Sequence, residues 1–197
     1  MSVTEPSVGA VILAAGLGSR FRTAPKMLAP YDGTPMVRRA AEAALASRAG
    51  PVVAVLGTHA EGVRAALAGL DLAFVENPDP ATGLSTSLRA GLAALPPGTE
   101  AAVVLLGDMP RIGPAHIDAL IAAYAEAAQR PSAVVPVSGG RRGNPVLLDL
   151  RRLADALAGL TGDRGAGPIL KGRGDVLEVA ADPAVLFDVD TPEALEG

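Results

Sequence analysis

The sequence predicts an α/β fold in one domain, a mostly parallel twisted sheet with helices on both faces. Short apolar runs rich in Val, Ala and Leu alternate along the whole chain with longer stretches of helix formers, which is the pattern of successive βαβ units. The chain has 197 residues, 49% hydrophobic and 19% charged, enough apolar material for one large core and too little charge for disorder. Aromatic residues are only 3% and Trp is absent, so that core is aliphatic.

Taken in order, Gly9 to Ala14 reads as the first strand. The glycine-rich stretch after it contains Pro25 and cannot run straight into a helix. Thr34 and Pro35 have the character of an N-cap and a first helical residue for MVRRAAEAALAS, which Gly50 and Pro51 stop. PVVAVL is a buried second strand ending at Gly57, His59 to Leu70 a helix, and Leu72 to Glu76 a third strand. In NPDPATGLSTSLRAGLAAL, turn residues give way to a helix near Ser85, with Leu88, Leu92 and Leu95 at helical spacing. Its free N-terminal N–H groups would face an anion or a base edge. AAVVLLGDMP is the most apolar strand and ends in an acid. A helix from about Pro114 to Gln129 and a strand from Ala133 to Val137 follow.

Past Ser138 the character changes to GGRRGNP and a short run VLL. Helical pieces in DLRRLADALAGL and DRGAGPILKG, a strand DVLEVA, and an extended FDVD passing into a helix at Thr191 and Pro192 complete the chain. This second half reads as an elaboration of one sheet, bent over its C-terminal edge.

Composition removes several classes of function. Without cysteine there is no disulfide, no thiolate nucleophile and no zinc site built on sulfur. A net charge of -4 argues against a protein that coats nucleic acid. Glu5 and Pro6 stand where a signal peptide would carry basic residues, and the apolar run after them is too short to span a bilayer. A cytoplasmic protein with neither nucleic-acid nor membrane partners is expected. His59 and His116 sit close to helix starts and read as surface or cap residues, and no Gly-x-Ser-x-Gly elbow occurs, so covalent catalysis is not expected.

The chemistry concentrates in VILAAGLGSRFRTAPKML. Gly16 and Gly18 let backbone N–H groups approach anionic oxygens, and Arg20 and Lys26 add charge-assisted bonds, an arrangement suited to a polyphosphate. It is not a dinucleotide fingerprint, because Phe21 falls where the third glycine belongs, nor a Walker loop, because Lys26 lies between Pro25 and Met27. Asp108 follows an apolar strand and Gly107, at the edge where open parallel sheets bind ligands, and a carboxylate there suits a hard cation such as Mg²⁺ shared with substrate phosphates. Asp188 and Asp190 alternate onto one face of the last extended segment, and Asp190 could equally cap the final helix. Glycines, Arg, Lys and a carboxylate together suit phosphoryl or nucleotidyl transfer, in which positioning and neutralisation of charge do most of the catalysis.

LAAGLGSRF, PKML, GTPMVRRA, GLSTSLRAGL, VLLGDMP, RGNPVLL, LTGDRGAGPIL and DVDTPEAL occur in this order and together resemble the molybdenum cofactor nucleotidyltransferase family, in particular its cytidylyltransferase branch. The first and fifth motifs are shared with the wider nucleotidyltransferase superfamily, while GLSTSLRAGL, RGNPVLL and LTGDRGAG are more particular. The resemblance implies a single Rossmann-like domain of the nucleotidyltransferase fold, with about 1-137 as the nucleotide-binding part and about 138-197 as the acceptor side. It implies Mg²⁺-dependent transfer of CMP from CTP to molybdopterin cofactor, release of pyrophosphate, and transient contact with a recipient molybdoenzyme.

By the same resemblance Leu13, Ala14, Ala15 and Gly16 hold base and ribose, Gly18, Ser19, Arg20 and Lys26 hold the triphosphate, and Ser87 contacts the base. Ala15, where the guanylyltransferase branch has glycine, favours a pyrimidine. Arg20, Lys26 and Asp108 would carry catalysis, with Asp108 a metal ligand and Asp190 matching a second metal position. Arg142, Gly143, Asn144, Thr161, Gly162 and Asp163 would face the acceptor. The chain departs from the family pattern at Arg22, Asn144 and Gly167. Another phosphorylated acceptor, such as a sugar phosphate, and a molybdopterin-binding chaperone without turnover are the alternatives.

Overall fold

The computed structural model describes residues 5–16 and 25–195. In chain order the elements are β1 (Val8–Leu13), β2 (Pro30–Tyr31), β3 (Thr34–Pro35), α1 (Met36–Leu45), β4 (Val52–Leu56), α2 (Ala60–Ala66), β5 (Ala73–Glu76) and α3 (Leu84–Ala93). They continue with β6 (Ala101–Leu106), α4 (Pro114–Glu126), β7 (Ala133–Ser138), β8 (Arg141–Arg142), β9 (Val146–Asp149), α5 (Ala154–Ala158), α6 (Gly167–Leu170) and β10 (Val176–Ala180).

The main sheet runs β10-β7-β9-β6-β1-β4-β5, with β8 paired to β7. β1, β4, β5 and β6 are mutually parallel where they pair, and β10 is parallel to β7. β9 alone of these seven runs the other way, Leu148 opposite Ala102 on β6 and Leu147 opposite Val134 on β7. The sequence predicted VLL only as a short run; all four residues of β9 are buried, as befits a strand with neighbours on both sides and cover on both faces.

Alternation along the central strands splits the core. Ala10, Ile12, Ala54, Leu56, Val103 and Leu105 point to the face covered by Val37, Ala41, Val63, Ile117 and Leu120 of α1, α2 and α4. Val11, Leu13, Val53, Val55 and Val104 point to the other face, under Leu88, Leu157 and Leu170 of α3, α5 and α6. Each fully buried aliphatic side chain contributes about 1.5–3 kcal/mol, so this two-sided packing dominates the stability of the sheet.

Two helix starts differ from the sequence reading. Thr34 and Pro35 pair with Tyr31 and Pro30 as an antiparallel ribbon, so Pro35 has extended backbone and the helix begins at Met36. Gly83, not Ser85, precedes α3, and its positive φ of 113° lets the chain turn sharply beneath residues 162 and 163, where a Cβ would come within 2.6 Å of the Asp163 nitrogen.

From β1 the chain moves outward through β4 and β5 and then crosses to β6 on the other side of β1. The carboxyl ends of β1 and β6 therefore flank the point where the strand order reverses, the place where open α/β sheets hold their ligands.

Candidate active site

At that point the Gly107 N–H donates to the Leu13 carbonyl at 3.1 Å, extending the ladder by one residue and setting Asp108 beside the loop that leaves β1. Arg39 of α1 holds the next turn, its Nε donating to the Pro110 carbonyl at 3.1 Å. The C-terminal segment docks on the same turn. Val189 is fully buried with Ala29, Tyr31 and Met36, and its N–H donates to the Asp108 carbonyl at 3.1 Å. Arg111 stacks over the Phe187 ring at 3.7 Å and donates to the Tyr31 hydroxyl at 2.6 Å. With Val189 turned inward, Asp188 and Asp190 face outward.

Asp190 thereby reaches Lys26. The Lys26 ammonium lies 2.7 Å from Asp190 Oδ1 and 2.6 Å from Asp108 Oδ2. Burial alone would lower the Lys26 pKa, but the two carboxylates outweigh it and hold the ammonium above its ordinary value. Partial desolvation, then the negative charges of Asp190 and Asp108, push the Asp188 carboxyl up. Asp108 Oδ1 is buried and has no hydrogen-bond partner among the described residues.

That orphaned oxygen tests the fit of a metal. No group of three or more His, Cys, Asp and Glu placed for a metal occurs among the described residues. A pair of hard oxygen donors with a spare buried lone pair fits a cation such as Mg²⁺ or Mn²⁺, which takes one or two carboxylates and completes its shell with water and substrate phosphates.

These groups form one end of a cavity of about 570 Å³ lined by Leu13, Ala15, Gly16, Lys26, Ser87, Asp108, Asp163 and Asp190 among others. Ala14 does not line it; it packs into the core, and its N–H donates to the Val55 carbonyl at 3.1 Å. Gly18, Ser19 and Arg20, together with Arg22, lie outside the described residues.

A second cavity of about 280 Å³ shares Leu13, Leu84 and Leu106 with the first and is lined further by Arg142, Gly143, Asn144, Gly165 and Leu170. Arg142 donates through Nε to Glu178 at 2.8 Å, and the Asn144 N–H donates to the Val185 carbonyl at 2.9 Å. Gly143 is required by that approach, since a Cβ there would lie 2.2 Å from the Val185 oxygen. Thr161 and Gly162 line neither cavity, and Asp163 belongs to the first. The loop instead caps α3, Asp163 Oδ1 accepting the Leu84 N–H at 3.2 Å and the Gly162 carbonyl the Ser85 N–H at 3.3 Å.

Sequence reasoning missed Asn77, which lies directly after β5 at the same sheet edge. It is 5% exposed and donates to Ser87 Oγ at 2.9 Å. Its signal was a polar residue closing an apolar strand, as at Asp108.

The family model described as the MobA-like NTP transferase domain matches residues 10–179. Nicotine blue oxidoreductase of Paenarthrobacter nicotinovorans is 30% identical over 195 residues, 96% of this chain and 95% of that one. The crystal structure of Rv0371c from Mycobacterium tuberculosis H37Rv superposes with a TM-score of 0.84 at 31% identity, covering 98% of this chain and all of that one (100%). A second structure of Rv0371c is a complex with manganese, with a TM-score of 0.78 over 96% of each chain. A nucleotidyl transferase from Methanothermobacter thermautotroptrophicus is 25% identical with a TM-score of 0.80, covering 95% of this chain and 94% of its own.

Proposed function

The chain belongs to the MobA-like NTP transferase domain family, and from that premise we propose that it transfers CMP from CTP to molybdopterin cofactor, with Mg²⁺ and release of pyrophosphate. The observation that carries the reading is the convergence of Lys26, Asp108 and Asp190 at one end of the larger cavity, with Ala15 and Ser87 also on its wall. The adjoining cavity takes the acceptor. Residues from about 1 to 137 then serve the nucleotide and those from about 138 to 197 the acceptor side.

The residues assign themselves roles by chemistry. Lys26, kept protonated by its carboxylate neighbours, supplies a fixed cation for the triphosphate. Asp108 and Asp190 are the groups that would hold the metal, which when bound neutralises phosphate charge that the protein alone leaves unbalanced. Gly16 leaves room for the nucleotide beside β1, and Gly18, Ser19 and Arg20, outside the described residues, are assigned to the triphosphate by the sequence resemblance alone. Arg142 and Asn144 meet the acceptor. An acceptor phosphate monoester is anionic near neutral pH, so its oxygen forms the new bond to the α-phosphorus while the bond to the bridging oxygen breaks and pyrophosphate leaves. No side chain need act as a base.

A different acceptor of the same chemistry, such as a sugar phosphate, fits the same residues. The nicotine blue oxidoreductase relative, which covers nearly the whole chain, supports a second reading, an oxidoreductase activity.

One experiment separates these readings: pyrophosphate release with Mg²⁺ and each of CTP, GTP, ATP and UTP, with molybdopterin cofactor, a sugar 1-phosphate or no acceptor, alongside oxidation of NADH in the presence of nicotine blue. Release with CTP that requires molybdopterin cofactor supports the proposal. Release only with the sugar phosphate changes the acceptor. NADH oxidation without any pyrophosphate release replaces transfer with reduction, and no activity from folded protein leaves a chaperone.

A further inference from the structure

Asn77 continues the sheet one residue beyond β5, its N–H donating to the Leu56 carbonyl at 2.9 Å, and its buried side chain faces the first turns of α3. The Asp79 N–H donates to Asn77 Oδ1 at 3.0 Å. That bond fixes which end of the amide carries the oxygen, so the nitrogen must face the helix. Nδ2 donates to Thr86 Oγ1 at 2.8 Å and to Ser87 Oγ at 2.9 Å, which uses both of its hydrogens.

The two hydroxyls then differ. Thr86 Oγ1 passes its own proton to the Gly83 carbonyl at 2.8 Å. Ser87 Oγ accepts from Asn77, and its proton has no acceptor among the described residues. Ser87 is 4% exposed and lines the larger cavity. Asn77 takes one of the two Oγ lone pairs, and a base that presented only N–H to the other would leave the Ser87 proton buried and unpaired, so the group Ser87 offers there is first an O–H donor.

We propose that Asn77 is a specificity-determining positioning residue: by donating to Ser87 Oγ it commits the Ser87 hydroxyl to donate, so this wall selects a nucleobase edge that presents a lone pair and rejects one that presents N–H. The inference rests on the reading above, in which the base lies against Ala15 and Ser87. The discrimination is sharpest between two pyrimidines of the same shape. Ring nitrogen N3 of cytosine is an acceptor, whereas N3 of uracil carries a hydrogen. A buried polar group left facing its own kind costs far more than a lost contact.

The test is equilibrium binding of CTP and UTP with Mn²⁺ and no acceptor, by titration calorimetry, read as the ratio of the two dissociation constants. The ratio cancels any uniform change in triphosphate affinity. The wild type should prefer CTP, and Ser87→Ala and Asn77→Ala should each cut the preference about tenfold. The double variant should be no worse than either single one, because one hydrogen-bond chain is broken in all three. Asn77→Asp is the decisive variant. Its carboxylate still accepts from Asp79 but now takes the Ser87 proton, turning lone pairs to the cavity, so the preference should move toward UTP.

Thr86→Val removes the other Asn77 contact and should leave the ratio unchanged, which controls for general loosening of α3. Variants of Asn77 that bind both nucleotides more weakly at an unchanged ratio, or effects of Asn77→Ala and Ser87→Ala that simply add, overturn the proposal and make Asn77 a tie between β5 and α3. A wild type that binds neither nucleotide removes the nucleotide reading together with the proposal, and is recognised by loss of all binding, not by its ratio.

Discussion

The main-chain N–H of Val189 donates to the carbonyl oxygen of Asp108 across 81 positions of sequence (189 − 108), at 3.1 Å. Through that bond the C-terminal segment is registered against the turn after β6, and Asp190 arrives at Lys26 as a consequence. Val189 itself is fully buried beside Tyr31 and Met36. Val189→Ala should therefore do two things. It should lower stability by about 1.5–3 kcal/mol, the worth of a buried Val, measured by urea unfolding. It should also weaken Mn²⁺ binding to the nucleotide complex, although no ligand atom has been altered. Unchanged metal affinity in the destabilised variant would detach Asp190 from the site.

Asp108→Asn tests the ligand directly. The amide is isosteric, and Lys26 keeps its 2.7 Å bond to Asp190, so the fold should be retained by circular dichroism. The buried, unpartnered Oδ1 loses its charge. Metal-dependent turnover should fall by about 100-fold or more, in line with the loss of one preorganised charge in a catalytic site. Turnover within a few-fold of wild type would take Asp108 out of the mechanism.

Much of this site was legible in the sequence, and the reason is local. Lys26 and Asp108 sit in short stretches whose neighbours, Gly16, Pro25 and Gly107, announce turns at strand ends, and strand ends in a parallel sheet converge on one edge. The direction of β9 was not legible, because the three apolar residues Val146, Leu147 and Leu148 carry no sign of which way they run. Thr34 and Pro35 match a helix start as written, but pairing with Pro30 and Tyr31 claims them for a ribbon. Asn77 was passed over for a related reason. Its role depends on Ser87 ten residues later and on the Asp79 N–H that orients its amide, and neither contact leaves a trace in residue spacing.

Tyr124 gives a stability prediction with a pH signature. Its hydroxyl donates to Asp149 Oδ2 at 2.7 Å between α4 and β9, deep in the core. Burial, then the bond to Asp149 and its charge, push the phenol well above its ordinary value of 10.0. For an acid raised on folding, the stabilisation is fully present below the unfolded value and is lost as pH rises toward the folded one. Tyr124→Phe should cost about 1–3 kcal/mol at pH 7 because Asp149 loses its buried donor. The gap between variant and wild type should narrow steadily above pH 10, followed as thermal midpoints, and a gap independent of pH would mean the hydroxyl bond contributes nothing.

Lys26 occupies, between Asp108 and Asp190, the place where positive charge is most favourable, at 2.6 and 2.7 Å from the two carboxylates. An ammonium and a divalent cation cannot both sit there without mutual repulsion. On the proposed function the lysine is a built-in counter-ion that yields when the metal arrives, with the triphosphate as the partner to which it yields. Lys26→Met keeps the aliphatic stem and removes the charge. Free of nucleotide, the variant should bind Mn²⁺ at least about tenfold more tightly than wild type, a difference of about 1.4 kcal/mol, because two close carboxylates are left without a cation. With CTP present the order should reverse, since the triphosphate has lost its fixed cation, and KM for CTP should rise. Weaker Mn²⁺ binding by the variant in both states would mean that Lys26 organises the carboxylates for the metal instead of competing with it.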